Sequence, residues 1–119
     1  MPKKTQAQQT GTVAEKQAME YLQSLGYEIL ERNFRHLKGE IDIIALWENK
    51  LLVFVEVKAR YNLSFGEPES FVSSTQERLI LSTAEEYIFS INWKRDIRFD
   101  IIGIDLKNHQ LEHFIDAFY

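Results

Sequence analysis

No cysteine occurs in the chain, which excludes a disulfide framework, a thiolate metal site and a cysteine nucleophile. Any metal bound here must use oxygen or histidine ligands. Histidine is scarce too: His36, His109 and His113 lack ligand spacing with one another and read as surface residues. Long apolar runs are missing. The first ten residues lack the apolar core of a signal peptide, and nothing later approaches the ~18 residues of a membrane span. A cytoplasmic protein with no membrane partner is the expectation. Basic charge is in deficit, with 14 Lys and Arg against 18 Asp and Glu and a net charge of −4, so the chain as a whole does not advertise nucleic-acid binding. Its cations nevertheless cluster, at Arg32, Arg35, His36 and Lys38, at Lys58 and Arg60, and at Lys94, Arg95 and Arg98. A carboxylate site that holds a divalent cation inverts its local charge, so these clusters are either ordinary solvated surface or polyanion contacts.

What is present is apolar residue enough for one core: 45% of 119 residues are hydrophobic and 13% aromatic. Residues 1–10 are polar without periodicity and read as a mobile tail, leaving 11–119 as a single domain. Thr12 with Glu15 forms a capping box that would open a first helix, whose stripe is Ala14, Ala18, Tyr21, Leu22 and Leu25 and whose C′ residue is Gly26. Strands are predicted over Tyr27–Arg35, about 40–46 and 51–59. Tyr61–Phe71, with Gly66 and Pro68, reads as a loop. Ser74 with Glu77 would open a second helix carrying Leu79, Ile80, Thr83, Ala84, Tyr87, Ile88 and Ile91 on one face. Strands over Ile97–Leu106 and Gln110–Ile115 follow, giving the order αβββαββ, an α/β fold with a central mixed sheet flanked by helices.

Two words on adjacent strands stand out: Gly39-Glu40-Ile41-Asp42-Ile43-Ile44-Ala45 and Val53-Phe54-Val55-Glu56-Val57-Lys58. Each is an apolar run broken by charge. Side chains alternate along a strand, so Glu56 and Lys58 share a face, as do Glu40 and Asp42. A hairpin register that pairs Trp47 with Leu51 sets Asp42 opposite Glu56 and Glu40 opposite Lys58. Like charges opposed on a sheet repel, and half-buried unpaired carboxylates are costly, so the arrangement calls for a cation between them. Magnesium prefers a few carboxylate oxygens and retains waters, so Asp42, Glu56 and the Val57 carbonyl would hold it with room for a phosphate oxygen and an attacking water. Lys58 would position or deprotonate that water, or neutralise charge on phosphorus. The duller alternative is a structural ion cluster with Lys58 or Arg60, although buried ion pairs seldom improve on apolar residues. Asp100 lies two residues after Arg98 and reads as half of an in-sheet salt bridge; Trp47 and Trp93 read as packing at element ends.

These two words, together with Arg98-Phe99-Asp100-Ile101-Ile102 and Glu15, resemble the bacterial YraN-like family over roughly residues 11–106. The resemblance implies a restriction-endonuclease-like, or PD-(D/E)xK, fold, distantly similar to archaeal Holliday junction resolvases. It implies that Asp42 and Glu56 are metal ligands, that Lys58 is the catalytic lysine, and that Glu15 is a second-metal or water-orienting carboxylate, where it is otherwise only a capping residue. The expected activity is Mg2+- or Mn2+-dependent hydrolysis of DNA phosphodiesters, branched repair or recombination intermediates among them, with Arg60, Gln76, Arg35 and Lys38 contacting nucleic acid. A non-catalytic nucleic-acid-binding or assembly module is the alternative. A duplex cut on both strands needs two sites, which a homodimer would supply; Phe114, Ile115, Phe118 and Tyr119 would form its face or simply the last core strand.

Overall fold

Apolar residues recur at helical spacing twice and at strand spacing five times, and each recurrence becomes one element. The computed structural model describes residues 6–61 and 72–119, so most of the predicted loop over Tyr61–Phe71 lies outside the described residues. The elements run α1 (Gln6–Ser24), β1 (Glu28–His36), β2 (Gly39–Trp47), β3 (Leu51–Arg60), α2 (Ser74–Ser90), β4 (Asp96–Asp105) and β5 (Gln110–Phe114). One five-stranded sheet has the order β1-β2-β3-β4-β5. It is mixed: β3 and β4 are parallel, with α2 crossing between them, and every other neighbouring pair is antiparallel. The register that pairs Trp47 with Leu51 is the one observed, and it runs as far as Ile43 opposite Val55.

The helices cover opposite faces. Ala14, Ala18 and Leu22, fully buried at four-residue spacing, seat α1 on Ile43, Val53, Val55 and Ile102. On the other face Ile80, Ala84 and Tyr87 of α2 pack against Ile44, Phe54 and Phe99. Phe118 stacks beside Phe99, so the C-terminal segment contributes to this second core, while Ile115 and Tyr119 stay exposed. Among the described residues, no helix is long and apolar enough to cross a membrane.

Gly26 ends α1 as expected. It adopts φ +101°, and its N–H and that of Tyr27 reach back to the carbonyls of Gln23 and Leu22, a Schellman closure that only a residue free of Cβ strain makes cheaply. The helix starts differs from expectation at both helices. In α1 the chain is already helical at Gln6, so Thr12 lies inside the helix and is not its N-cap. Alanine and glutamine before it are good helix formers, and the one glycine there costs only about 1 kcal/mol. In α2 the cap is Ser73 rather than Ser74: Ser73 holds an extended backbone, and its hydroxyl oxygen accepts the Gln76 N–H at 3.1 Å. The cap is therefore one residue upstream of the predicted one, with Gln76 as the third residue of the helix.

Gly39 opens β2 under α2. A Cβ at this position would overlap the Thr83 hydroxyl and stand 2.8 Å from the Leu79 carbonyl, so glycine lets helix and strand meet here. Thr83 is itself held by a 2.7 Å bond to that carbonyl.

Under α1, Asp100 is completely buried and fully engaged. Arg98 donates to both of its oxygens, from Nε at 2.8 Å and from Nη2 at 2.7 Å. His113 Nε2 lies 2.7 Å from Oδ2, and the Asp116 N–H donates to Oδ1 at 3.0 Å. The His113 Nδ1 meets the Tyr21 hydroxyl at 3.1 Å, tying α1 to β5. The in-sheet salt bridge of Arg98 with Asp100 is thus observed, but Arg98 is sequestered by it and leaves the basic clusters available to a polyanion. His113 corrects the expectation of a surface histidine: β5 pairs it with Ile102 and turns its ring inward.

Two stability predictions follow from this packing. Gly39→Ala should destabilise the fold by about 1–3 kcal/mol, the usual range for overpacking, measured by urea unfolding. For Asp100, burial would raise the carboxyl pKa, but the bonds from His113, Arg98 and the Asp116 N–H outweigh it and the net shift is downward. A depressed folded pKa contributes stability that is present above the unfolded-state value and lost as pH falls through the folded one. Asp100→Asn should therefore cost about 3–5 kcal/mol at neutral pH, and the gap from the native protein should close in acid. A gap independent of pH would contradict this account.

Candidate metal and nucleic-acid site

Below Ile43 and Val55 the β2–β3 ladder stops. There the Asp42 side chain replaces a backbone partner: its Oδ2 accepts the Val57 N–H at 2.7 Å. The two strands part, and a cleft of about 380 Å3 opens, lined among others by Lys38, Glu40, Asp42, Glu56, Lys58 and Gln76.

Both layers contribute to it. From α1, Glu15 brings a carboxylate oxygen to within 4.8 Å of those of Glu40 and Asp42, the three mutually within that distance. From α2, Gln76 acts as a bridge: its Nε2 donates to Glu56 Oε2 at 2.9 Å and its Oε1 accepts from Lys58 Nζ at 3.3 Å. In a capping box the third residue of the helix would fold its side chain back onto the cap; here that amide is spent on the cleft instead.

The electrostatics are those of crowded acids. Burial, then the hydrogen bond and charge of neighbouring Glu56, push the Asp42 carboxyl up to about 9, against the relief given by the Val57 N–H. Glu15 is also raised, first by burial and then by the charge of Asp42, with Asn33 and Arg32 acting the other way. Four carboxyl groups thus converge with one ammonium beside them. This all-oxygen set of hard donors fits a magnesium or manganese ion, whose charge would resolve the repulsion.

The fold brings together most of the residues singled out from the sequence: Glu15, Asp42, Glu56, Val57 and Lys58 meet at one end of the sheet, and Lys38 and Gln76 stand on the cleft wall. Two do not line it. Arg60 ends β3 on the exposed surface, and Arg35 reaches the cleft only through Glu40, to which its Nε donates at 3.0 Å. Neither expected facing pair, Asp42 with Glu56 or Glu40 with Lys58, is in the ladder, which ends at Ile43 and Val55; Asp42 still meets Glu56 through their side chains, and Glu40 is the one that ends elsewhere. It does not oppose Lys58; it joins Glu15 and Asp42, because the ladder that would have carried the register to Lys58 ends first. Its signal in the sequence was its place two residues before Asp42, on the same face.

The model of the uncharacterised protein family UPF0102 matches residues 14–104. The chain belongs to this family. A UPF0102 protein of Flavobacterium psychrophilum is 45% identical over 111 residues, covering 92% of each chain. One of Caldanaerobacter subterraneus is 43% identical over 122 residues, covering 98% of this chain and 99% of the relative. One of Clostridioides difficile is 43% identical over 109 residues, covering 91% and 95% respectively. The span matched by the UPF0102 model contains all four acids, Lys58 and Gln76, and takes in the strands on which the cleft is built.

A buried acid whose folded pKa lies above its unfolded one loses stability as pH rises from the unfolded value toward the folded one. Asp42→Asn should therefore stabilise the metal-free protein at neutral pH, by roughly 1–2 kcal/mol, since an amide oxygen still accepts the Val57 N–H. The same substitution should abolish manganese binding in calorimetry. A variant that is less stable than the native chain in chelator would show the cluster to be a structural one.

Proposed function

We propose that this UPF0102 protein is a metal-dependent endonuclease hydrolysing DNA phosphodiesters, built on a restriction-endonuclease-like, PD-(D/E)xK scaffold with a distant likeness to archaeal Holliday junction resolvases. The observation that carries the reading is the convergence of Glu15, Glu40, Asp42 and Glu56 beside Lys58 in an open cleft where two strands part. Asp42 and Glu56, with the Val57 carbonyl and with Glu15 and Glu40 close by, would hold Mg2+ or Mn2+, which supplies an acidified water and neutralises charge at the phosphate.

The chain's own groups do the rest. Gln76 fixes the Glu56 carboxylate through its amide N–H, and through its oxygen it steadies the Lys58 ammonium at the cleft wall. Lys58 then orients the attacking water or takes up the charge that grows on the phosphoryl oxygens, which a compact cation does well. Lys38 on the same wall is placed for a phosphate, and Arg35 and Arg60 lie outside the cleft for flanking ones. The net charge of −4 favours a second reading, a nucleic-acid-binding or assembly module that keeps the cluster for structure. The upward shift of Asp42 speaks against it. An ion cluster retained for stability would lower a buried aspartate, as the Arg98 and His113 contacts do for Asp100.

The test is cleavage of linear duplex, single-stranded and four-way-junction DNA with magnesium or manganese. Cleavage should vanish in Glu56→Ala. Lys58→Ala should lower the cleavage rate about 100-fold while changing DNA affinity little, the pattern of a group that acts in the transition state. Equal cleavage by the native and Glu56→Ala proteins would assign the activity to a contaminant, and affinity lost in step with rate would make Lys58 a binding residue only.

A further inference from the structure

At the tip of the β1–β2 hairpin, next to the cleft, sits a leucine that the fold gives no reason to keep. Leu37 and Lys38 form the two-residue link between His36 and Gly39, which pair across the hairpin. Leu37 holds φ +54°, where a branched side chain crowds its own backbone and where hairpin links ordinarily carry asparagine, aspartate or glycine. It gains no packing in return, being 89% exposed. Single exposed leucines are common and need no explanation. An exposed leucine on a backbone that disfavours it is different, because neither local conformation nor burial selects it.

The tip is also held firmly. Gly39 lies hard against Thr83 and Leu79 of α2, Arg35 bonds Glu40 at 3.0 Å, and His36 stands 3.9 Å from Glu86. Lys38, the next residue, lines the cleft with Lys58, and among the described residues it has no ion-pair partner.

We propose that this hairpin tip is a wedge: Lys38 takes a backbone phosphate while Leu37 inserts between bases where two DNA strands part. The inference rests on the nuclease reading above and names the residues by which that site would recognise a branch. Apolar side chains inserted at a base step must unstack it, and that cost is smallest where stacking is already interrupted. A rigid leucine beside the cleft therefore selects branch points and frayed ends over continuous duplex.

The experiment uses the full chain, with calcium in place of magnesium to hold back cleavage. It compares a four-way junction carrying 2-aminopurine at the branch with a linear duplex of the same sequence. The native protein should bind the junction more tightly and raise its fluorescence. Leu37→Gly, which suits φ +54°, should lose the fluorescence rise and about tenfold of the junction preference without a lower melting temperature. Leu37→Phe should retain both. Junction binding with no fluorescence rise, or a Leu37→Gly protein that keeps the full preference, overturns the wedge and leaves the nuclease reading standing. Failure of the native protein to bind any DNA overturns both. Because the chain has no cysteine, Leu37→Cys offers one attachment point, and its efficient crosslinking to a second copy or another protein in the presence of junction would reassign the tip to a protein partner.

Discussion

Where β2 and β3 part, the Asp42 carboxylate occupies the place of a ladder carbonyl, accepting the Val57 N–H at 2.7 Å. The site depends on that substitution. Had the backbone ladder continued past Ile43 and Val55, Glu56 and Lys58 would have faced a closed strand, and no cleft would separate them from Glu15 and Glu40. A side-chain acceptor satisfies the buried N–H as a carbonyl would, so the sheet can open without leaving a backbone donor unpaired. The same carboxyl group also bonds Glu56, so it joins the end of the ladder to the remaining acids.

The buried Asp100 and the half-buried Asp42 show what partners do to one functional group. Asp100 receives a guanidinium, an imidazole and a backbone N–H, and its charge is favoured. Asp42 receives one N–H and faces three glutamates, Glu15, Glu40 and Glu56, and its charge is disfavoured. Burial opposes ionisation in both cases; only the company differs. The first arrangement fastens α1, β4 and β5 together. The second holds a local electrostatic excess that the fold tolerates because the surrounding sheet is packed on both faces, and such tolerated conflict is characteristic of sites kept for chemistry rather than stability.

Helix α2 sets the cleft from the opposite layer, and two small features fix its position. Ser73 caps the helix so that Gln76 stands in its first turn, aimed at Glu56 and Lys58. Gly39 lets the helix descend onto the start of β2, which brings the hairpin tip beside the acids. Positioning by packed backbone is more exact than positioning by a loop, and the catalytic candidates here all stand on helices or strands.

The amino-acid sequence by itself determined the elements and the local pairings. Period-two alternation broken by charge marked β2 and β3, and because a one-residue slip would expose every apolar side chain, it also dictated the Trp47–Leu51 register. Spacing of two placed Arg98 beside Asp100, and Gly26 closed α1, since both depend only on near neighbours. Tertiary structure decided what depends on distant chain. Ser73 and Ser74 are equivalent as letters, and only the backbone conformation imposed by α2's seat on the sheet selects the first as cap. His113 is buried because β5 pairs it with Ile102 and α1 brings Tyr21 to its other nitrogen. Glu40 joins Glu15 and Asp42 rather than Lys58 because the ladder ends early, an event set by competition between a side chain and a carbonyl for one N–H. Such competitions are resolved by three-dimensional proximity, which periodicity along a chain does not encode.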